Sequence, residues 1–245
     1  MAWQTPKTNW TGADGVRNTD LNRIEGNILE LYNSVLRADT TIVVDPTGND
    51  STGNGTTSAP YATITKALDS IQRNLNGKVV EINIGAGTYP ENVVIRGFNG
   101  VLQLYASGVV NIQSMRVEGC NIYQYGSQIN FPRGLTLDRG ASWTGQSTMY
   151  IGGPAYSGIT VSNCSTFVQY NTVTISNMTS VGLEASGGSI VYISILAGAD
   201  NNTGMRADTG GTICYGSTSI AGTTQRFTNT GGRIYSGAQT NIPNY

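Results

Sequence analysis

The chain contains no histidine in its 245 residues. This absence excludes the commonest general base of enzymes, a serine or cysteine nucleophile activated by histidine, and any zinc site with a histidine ligand. Charge is also scarce, because only 12% of the residues are charged and the formal net charge is -1. We therefore expect no nucleic-acid partner and no insertion into a membrane.

Cysteine is scarce as well, and long apolar runs are missing. Cys120, Cys164 and Cys214 are far apart in the sequence and odd in number. We interpret them as small apolar interior residues rather than as redox centres or metal ligands. No apolar run approaches the length of a membrane span, and the N-terminus does not look like a signal peptide. The sequence predicts no metal and no cofactor, and assembly in a cytoplasm.

The second half of the chain repeats a short phrase in which a glycine precedes an apolar, a polar and a second apolar residue. The four glycines stand at positions 134, 158, 182 and 204, so their spacing is nearly constant. A second phrase, which begins with paired glycines, recurs in step with it at positions 187, 210 and 231. A nearly fixed period of this length is the signature of a solenoid. The alternation of apolar and polar residues has the period of a β-strand.

A repeat of about 22 to 24 residues is too short for a strand and a packed helix, but it fits three short strands joined by turns. Stacked units of this kind form a parallel β-helix. We predict an all-β fold in which residues 79–245 form the coils and residues 39–78 contribute a capping strand, a polar loop and a helix. The helix, predicted over 63–75, has one apolar face that would cover the open end of the column. Together these parts make a β-helix domain over residues 39–245.

The segment before this domain, residues 1–38, contains a second predicted helix over 20–36. Its apolar residues have the 3, 4, 3, 4 spacing of a heptad seam and are Leu21, Ile24, Ile28, Leu31 and Val35. A helix this short is marginal alone, and Gly26 weakens it further. We interpret the seam as the contact of a parallel bundle, most simply a homotrimer. The alternative is a single helix that lies on its own β-domain.

Several motifs near the start of the β-helix domain resemble a known family. They cover residues 43–50 (VVDPTGND), 53–56 (GNGT), 60–68 (PYATITKAL) and 84–93 (IGAGTYPENV). These motifs resemble the opening of pectin-lyase-like right-handed β-helix proteins. The resemblance implies a right-handed coil but no particular chemistry, because the family includes lyases, hydrolases, esterases and non-enzymatic viral spikes.

The N-terminal segment carries a second resemblance. Residues 10–16 (WTGADGV) and 20–28 (DLNRIEGNI) resemble the leader of tail and baseplate-associated proteins of phages that infect Gram-positive bacteria. This resemblance implies a tail spike or tail fibre located in the virion. Trp3 and Trp10 lie in a polar stretch that cannot bury them, so we predict that they contact other phage virion proteins.

Carboxylates in the coils are too few for an obvious catalytic pair. A glycosidase needs two carboxylates about 5 to 9.5 Å apart. The repeat aligns Asp138 with Asp208, but three coils separate them, roughly 14 Å at the spacing of stacked strands. Glu184 and Arg206 fall in adjacent coils, and we interpret them as a surface ion pair. The resemblance to hydrolases would also require a paired Asp-Asp and a Gly-His-Gly, which the chain lacks. We predict no enzymatic activity.

Aromatic side chains in the coils favour glycan binding, because aromatic rings beside amides and hydroxyls stack on sugars. The predicted group is Trp143, Tyr150 and Tyr156, near a Gly-Gly-Pro loop. The predicted ligand is a host cell-surface glycan. Two alternatives stay open: a polysaccharide depolymerase whose site forms between subunits, and a purely structural head fibre or decoration protein without a receptor.

Overall fold

The fold is a parallel β-helix of about seven turns, in which 51% of the residues are strand. The computed structural model describes residues 4–9, 11, 15–33, 38–155 and 157–236. Within these residues there are two helices, and neither is both long and apolar enough to cross a membrane. The prediction of an all-β parallel β-helix is confirmed.

Strands follow one another along the chain with few interruptions. The elements are α1 (Asn18–Asn33), β1 (Thr40–Val44), α2 (Ile64–Ser70), β2 (Val80–Ile84), β3 (Gly87–Arg96), β4 (Val101–Ala106), β5 (Val110–Glu118), β6 (Asn121–Gly126), β7 (Ile129–Asn130), β8 (Leu135–Asp138), β9 (Ser142–Gly145), β10 (Met149–Gly152), β11 (Ser157–Val161), β12 (Thr166–Ser176), β13 (Val181–Ala185), β14 (Ile190–Ala197), β15 (Asn201–Ala207), β16 (Thr212–Thr218), β17 (Gly222–Thr228) and β18 (Arg233–Ser236).

The strands stack into three parallel faces. Face 1 contains β1, β2, β4, β6, β9, the first halves of β12, β14 and β16, and β18. Face 2 contains the starts of β3 and β5, then β7, β10 and the second halves of β12, β14 and β16. Face 3 contains the ends of β3 and β5, then β8, β11, β13, β15 and β17. Each coil passes through faces 1, 2 and 3 in turn.

The coil length varies more than the repeat suggests. Equivalent residues on face 1 are 20 to 24 positions apart, whereas 22 to 24 were predicted. The shortest step leads from β4 to β6, before residue 134, where the repeated phrase is missing. One inward column on face 1 illustrates the stacking and runs through Val80, Leu102, Ile122, Trp143, Phe167, Val191, Ile213 and Ile234.

The glycines of the repeated phrase lie where neighbouring coils approach each other most closely. A Cβ atom added to Gly158 would lie 2.5 Å from the carbonyl oxygen of Gly182, and one added to Gly182 would lie 2.7 Å from the carbonyl oxygen of Gly204. Real Cβ atoms essentially never come so near to backbone. The repeat therefore recurs because each coil needs a residue without a side chain at this point.

Helix α2 covers the open end of the column, as predicted, but it is shorter than the predicted 63–75. It contacts β1, β2 and β3, and its Ile64, Ala67 and Leu68 are buried. The helix ends at Ser70 because the following segment leaves it to pair with the first coil, where Leu75 N donates to Asn99 O at 3.2 Å. Leu75 is nevertheless fully buried, so the apolar pattern continues after the helix has ended.

The motifs that resemble the pectin-lyase-like family hold this cap in place. The Asp50 carboxylate accepts hydrogen bonds from Ala62 N at 2.8 Å and from Thr63 Oγ1 at 2.7 Å. The Glu91 carboxylate, on β3, accepts from Ile64 N at 2.8 Å and from the backbone and hydroxyl of the next residue. Two carboxylates thus satisfy backbone donors at the start of α2 that the helix itself leaves free.

The polar loop between β1 and α2 is a series of Asx turns, as its composition indicates. Asp45 Oδ1 accepts from Thr47 N at 2.9 Å, Asn49 Oδ1 accepts from Ser51 N at 2.8 Å, and Asn54 Oδ1 accepts from Thr56 N at 3.2 Å. In each case a side-chain oxygen accepts a hydrogen bond from a backbone N–H two residues later in the same loop. The loop is therefore a self-supporting turn.

Helix α1 exposes the apolar stripe that the heptad spacing predicts. The side chains of Leu21, Ile24, Ile28 and Leu31 are between 44% and 63% exposed, so the single chain does not bury them on its own β-helix. The fifth seam residue, Val35, and both Trp3 and Trp10 lie outside the described residues. Beside this stripe on α1, the buried Asn27 exchanges two hydrogen bonds with the backbone of Gln4, at 2.9 and 2.8 Å.

Candidate functional site

Trp143, the first of the three residues predicted to bind a glycan, is not on the surface. Its side chain is fully buried inside the column, between Phe131 and Phe167. The prediction for Trp143 is wrong because the register of β9 on β12 and β6 places it in the inward column of face 1. Its indole Nε1 donates to Gln169 Oε1 at 3.3 Å, so even its polar atom points into the core.

The other two predicted residues do not form a group with it. Tyr150 lies on face 2, in β10, where its side chain is 38% exposed. Tyr156 lies outside the described residues. Because Trp143 is interior and on face 1, the structure does not bring Tyr150 and Trp143 together on one surface.

A different set of aromatic residues does form a surface, on the outward side of face 1 in the first three coils. Tyr105, in β4, pairs with Tyr125 in β6, and Gln103 pairs with Tyr123. Glu81, in β2, pairs in turn with Gln103. We call this set of five side chains the tyrosine face. All five are half-buried.

The three rings of the tyrosine face contact one another. The ring centroids of Tyr105 and Tyr125 are 5.1 Å apart, and those of Tyr123 and Tyr125 are 5.6 Å apart. Both pairs are tilted, and both distances lie within the range of favourable aromatic contacts. The spacing of neighbouring strands, about 4.8 Å, places Tyr105 beside Tyr125, whereas Tyr123 and Tyr125 are on the same face of one strand, two residues apart.

The hydroxyl of Tyr125 is held by a carboxylate. It donates a short hydrogen bond to Glu81 Oε2, and Gln103 Oε1 lies 3.5 Å away. Burial, followed by the hydrogen bond to Glu81, raises the pKa of Tyr125 to about 12. The phenol is therefore a protonated donor at any physiological pH. Rings fixed in this way beside amide and carboxylate oxygens provide both stacking surface and hydrogen-bonding groups, which is what a sugar needs.

The sequence prediction missed the tyrosine face because the repeated phrase starts only at residue 134. The signal was nevertheless present in the alternation of residues 102–105 (LQLY) and 122–125 (IYQY). In both segments the first and third residues point inward and the tyrosines at 105, 123 and 125 point outward. Aligning these two segments, with Leu102 on Ile122, would have found the pairing of Tyr105 with Tyr125.

Two carboxylates that the sequence prediction did not align are neighbours on face 3. Glu118, at the end of β5, pairs with Asp138 at the end of β8. Arg116 joins them, because its Nε lies 2.6 Å from Glu118 Oε1 and its Nη2 lies 2.7 Å from Asp138 Oδ2. Arg139 Nη1 binds the other oxygen of Glu118 at 2.8 Å.

Asp138 also accepts hydrogen bonds from two residues of the next coil and from the residue that follows it in the chain. Its Oδ1 accepts hydrogen bonds from Asn163 Nδ2 at 2.6 Å, from Ser162 Oγ at 3.1 Å and from Arg139 N at 2.9 Å. The bond from Asn163, together with those from Ser162 and Arg139 N and the charge of Arg116, holds the pKa of Asp138 below its usual value, although burial opposes them. A general acid of a glycosidase needs the opposite shift, so Asp138 suits structure better than proton transfer.

The alignment made from the repeat itself is confirmed. Glu184 pairs with Arg206 in adjacent coils, and Glu184 Oε1 lies 3.7 Å from Arg206 Nε. Arg206 Nη2 also binds Asp208 Oδ2 at 2.8 Å. These contacts form a second ion-pair network on face 3, two to three coils away from Asp138. In the described part of the chain, no group of three or more histidine, cysteine, aspartate or glutamate side chains could hold a metal ion.

The lowered pKa of Asp138 predicts a pH-dependent effect of Asp138→Asn. Because the folded pKa lies below the unfolded value of about 3.9, the ionised form stabilises the fold above that value. This stabilisation is lost as the pH falls towards the folded pKa. We expect the variant to lose about 2 kcal/mol of unfolding free energy at neutral pH, since a buried charged acceptor loses its partners.

The measurement is unfolding followed by circular dichroism at neutral pH and at a pH near 2. The difference between the wild type and Asp138→Asn should shrink at the lower pH. The matched control is Asp200→Asn, an exposed carboxylate in another turn, which should change the free energy by less than about 0.5 kcal/mol at both pH values. An equal loss for Asp138→Asn at both pH values would contradict the prediction.

Comparison with known proteins adds no relative. No family model, no curated protein and no solved structure matches the chain. The parallel β-helix therefore rests on the register of its own strands. The resemblances to pectin-lyase-like β-helix proteins and to phage tail proteins rest on the motifs of the sequence alone.

Proposed function

We propose that this chain is a structural protein of a bacteriophage virion, of the pectin-lyase-like β-helix class. It would form a trimeric tail spike, tail fibre or baseplate-associated protein that contacts the host surface. The observation that supports this proposal best is the combination of a rigid column of about seven coils with a helix that exposes an apolar stripe. The first part suits a shaft, and the second suits oligomerisation.

The exposed stripe of α1 supports oligomerisation through a second and third copy. A helix of 16 residues is marginal in water by itself, and this one leaves the four described side chains of its seam, Leu21, Ile24, Ile28 and Leu31, exposed. Their heptad spacing matches a seam between parallel helices. In the proposal, residues 1–38 trimerise in this way and also attach to other virion proteins through Trp3 and Trp10.

The tyrosine face supports contact with a host glycan. Its three rings lie on the outer surface of the column, with the carboxylate of Glu81 and the amide of Gln103 beside them. One such face would bind sugars weakly. Three copies held on one trimer would bind a surface much more tightly, because the second and third contacts become intramolecular.

The contacts of Glu118 and Asp138 favour this adhesive role over a depolymerase. The two carboxylates are adjacent, as a glycosidase would require, but Arg116 binds both of them and Arg139 also binds Glu118. Side chains bound in this way have no free acid and no free base to offer. A head fibre or decoration protein without a receptor would share the fold and the trimer but would not use the tyrosine face.

Light scattering on the full chain tests the trimer. We expect a molar mass of about three times the chain mass of 25.9 kDa. Ile28→Asp places a charge in the seam and should reduce the mass to that of one chain. The control, Asn22→Asp, places the same charge at an exposed polar position of the same helix and should leave the trimer intact. A monomeric wild type would overturn the proposal.

A further inference from the structure

We infer that a second binding site, specific for an oxyanion, lies at the corner where each coil turns from face 3 to face 1. It is an open groove of about 460 Å³ lined by Arg73, Arg96, Gly97, Glu118, Gly119 and Arg139, which we call the arginine groove. Its ligand would be the carboxylate or phosphate group of an acidic polysaccharide. The inference rests on the proposed contact with the host surface and names the class of polymer.

Stacked turns of three coils form the floor of the groove, and two of them carry a glycine there. The register places Gly97, Gly119 and Arg139 at the same point of three successive coils. All three adopt the left-handed conformation, with φ values of 75°, 58° and 58°. The two glycines leave space above the backbone, and Arg139 is the first residue of this column whose side chain can reach over that space. The groove is thus an open depression on the surface of the column, above the backbone of these turns and bounded by guanidinium groups.

Contacts with neighbouring residues hold Arg73 at the edge of the groove. Its guanidinium carbon lies 4.3 Å from the ring centroid of Phe98, and its Nη2 lies 3.6 Å from Asp69 Oδ1. Its Nη1 also donates to Arg96 O at 3.3 Å. An arginine positioned in this way gives up little side-chain entropy when it binds a ligand.

Positive charge exceeds negative charge in the groove. Arg73, Arg96 and Arg139 line the groove with a single carboxylate, Glu118, which Arg116 already shares, and Asp69 pairs with Arg73 from outside the lining. Within the described residues, no carboxylate lies within ion-pair distance of the exposed Arg96. Three arginines in one groove are a marked concentration in a chain that has only 14 lysines and arginines in 245 residues.

The chemistry of these side chains indicates an oxyanion. A guanidinium presents paired N–H donors that match the two oxygens of a carboxylate or a phosphate, and it keeps its charge at any physiological pH. The low net charge of -1 gives the chain as a whole no general attraction for polyanions. Anion binding would therefore depend on this local cluster rather than on the overall charge.

The position of the groove favours a polymer over a small free anion. Tyr123 follows Gly119 by only four residues across the corner, so at 3.3 Å per residue the two lie at most about 13 Å apart. The tyrosine face and the arginine groove are consequently neighbours on the surface of the first three coils. An extended acidic glycan could stack a ring on the tyrosines while its carboxylate or phosphate lies among the arginines.

The test compares binding of the full chain to four immobilised polymers: alginate, which carries carboxylates, phosphorylated dextran, which carries phosphates, neutral dextran, and single-stranded DNA. We expect binding to at least one acidic polysaccharide, weakened by added salt, and none of this salt-sensitive binding on neutral dextran. The acidic polysaccharide that binds more tightly identifies the oxyanion. Absence of binding to both acidic polysaccharides would overturn the inference, and so would tighter binding to single-stranded DNA than to either of them.

Three substitutions locate the site. Arg96→Gln and Arg139→Gly should each weaken binding by about fivefold or more, since each removes a charge-assisted contact. Arg139→Gly should fold normally, because Gly97 and Gly119 occupy the same position in the coils beside it. The control is Arg133→Gln, which removes the same charge from an exposed turn outside the groove. An equal loss in the control would show attraction to total charge and would overturn the inference.

Light scattering on the same samples separates this inference from the proposed function. A trimer whose binding is unaffected by Arg96→Gln and Arg139→Gly would reject the groove alone. A monomer whose binding to an acidic polymer depends on both arginines would reject the trimer and retain the groove.

Discussion

Replacing Trp143 by alanine should lower the free energy of unfolding by about 3 to 5 kcal/mol, the usual cost of removing a large aromatic side chain from a core. Trp143 is fully buried and lies between Phe131 and Phe167, with ring centroids 6.2 and 6.4 Å away. Alanine would leave a cavity in the middle of the column. It would also remove the donor that Gln169 Oε1 accepts inside the core.

The measurement is the unfolding midpoint in urea or on heating, followed by circular dichroism. Trp143→Phe should cost clearly less than alanine, because it keeps the ring and loses only the indole donor and some volume. The control is Tyr150→Ala, an aromatic truncation at a residue that is 38% exposed, and it should cost less than half as much. A Trp143→Ala protein as stable as the wild type would contradict the inward register of β9.

The stability measurement also distinguishes loss of glycan binding through unfolding from loss of a residue that contacts the glycan. A variant that fails to bind glycan because it unfolds would resemble a variant that has lost a binding residue. Measuring the stability of Trp143→Ala and of Tyr123→Ala side by side distinguishes the two. We expect a large loss of stability for the first and a small one for the second, since the ring of Tyr123 is only half-buried.

The sequence predicted the fold wherever the repeated phrase is present. Between residues 134 and 207 the phrase sets the register residue by residue, so the predicted neighbours Glu184 and Arg206 are paired in the structure. The physical reason is that a parallel β-helix pairs each residue with its equivalent one coil away. For these coils, knowing the repeat period is therefore enough to predict which residues pair between adjacent coils.

The prediction failed where the phrase is missing. Before residue 134 the coil that separates Leu102 from Ile122 is shorter than the repeat, and no repeated glycine marks it. As a result, the pair of Glu118 and Asp138 and the tyrosine face were not found. Coil length depends on the turns between faces, and turns leave no period in a sequence.

The burial of Trp143 was hidden for a different reason. Its neighbours in sequence are Ser142 and Thr144, and the next inward position is Gly145, so the segment does not show the apolar alternation of an ordinary strand. Only pairing with Phe167 one coil away shows that it points inward. Contacts with another chain leave even less trace, so the heptad spacing of α1 is the only sequence feature that supports the proposed trimer.

Gly158→Ala should cost about 3 kcal/mol or more, although it adds a single methyl group. The new Cβ would lie 2.5 Å from the carbonyl oxygen of Gly182 and 2.5 Å from Ile175 Cγ2. The Gly182 carbonyl belongs to the backbone of the next coil, so it cannot move without distorting the stack. The control is Gly15→Ala, where an added Cβ has no neighbour within 4 Å and the change should be within about 0.5 kcal/mol.

The location of the damage is as informative as its size. In a solenoid each coil contacts only its neighbours, so strain between two coils should weaken those coils first. Amide hydrogen exchange should therefore become faster in β11 and β13, which carry Gly158 and Gly182, while β4 and β6 keep their protection. Equal loss of protection in all coils would mean that the column unfolds as one unit. Faster exchange confined to the two strands would show that the spacing between coils depends on these glycines.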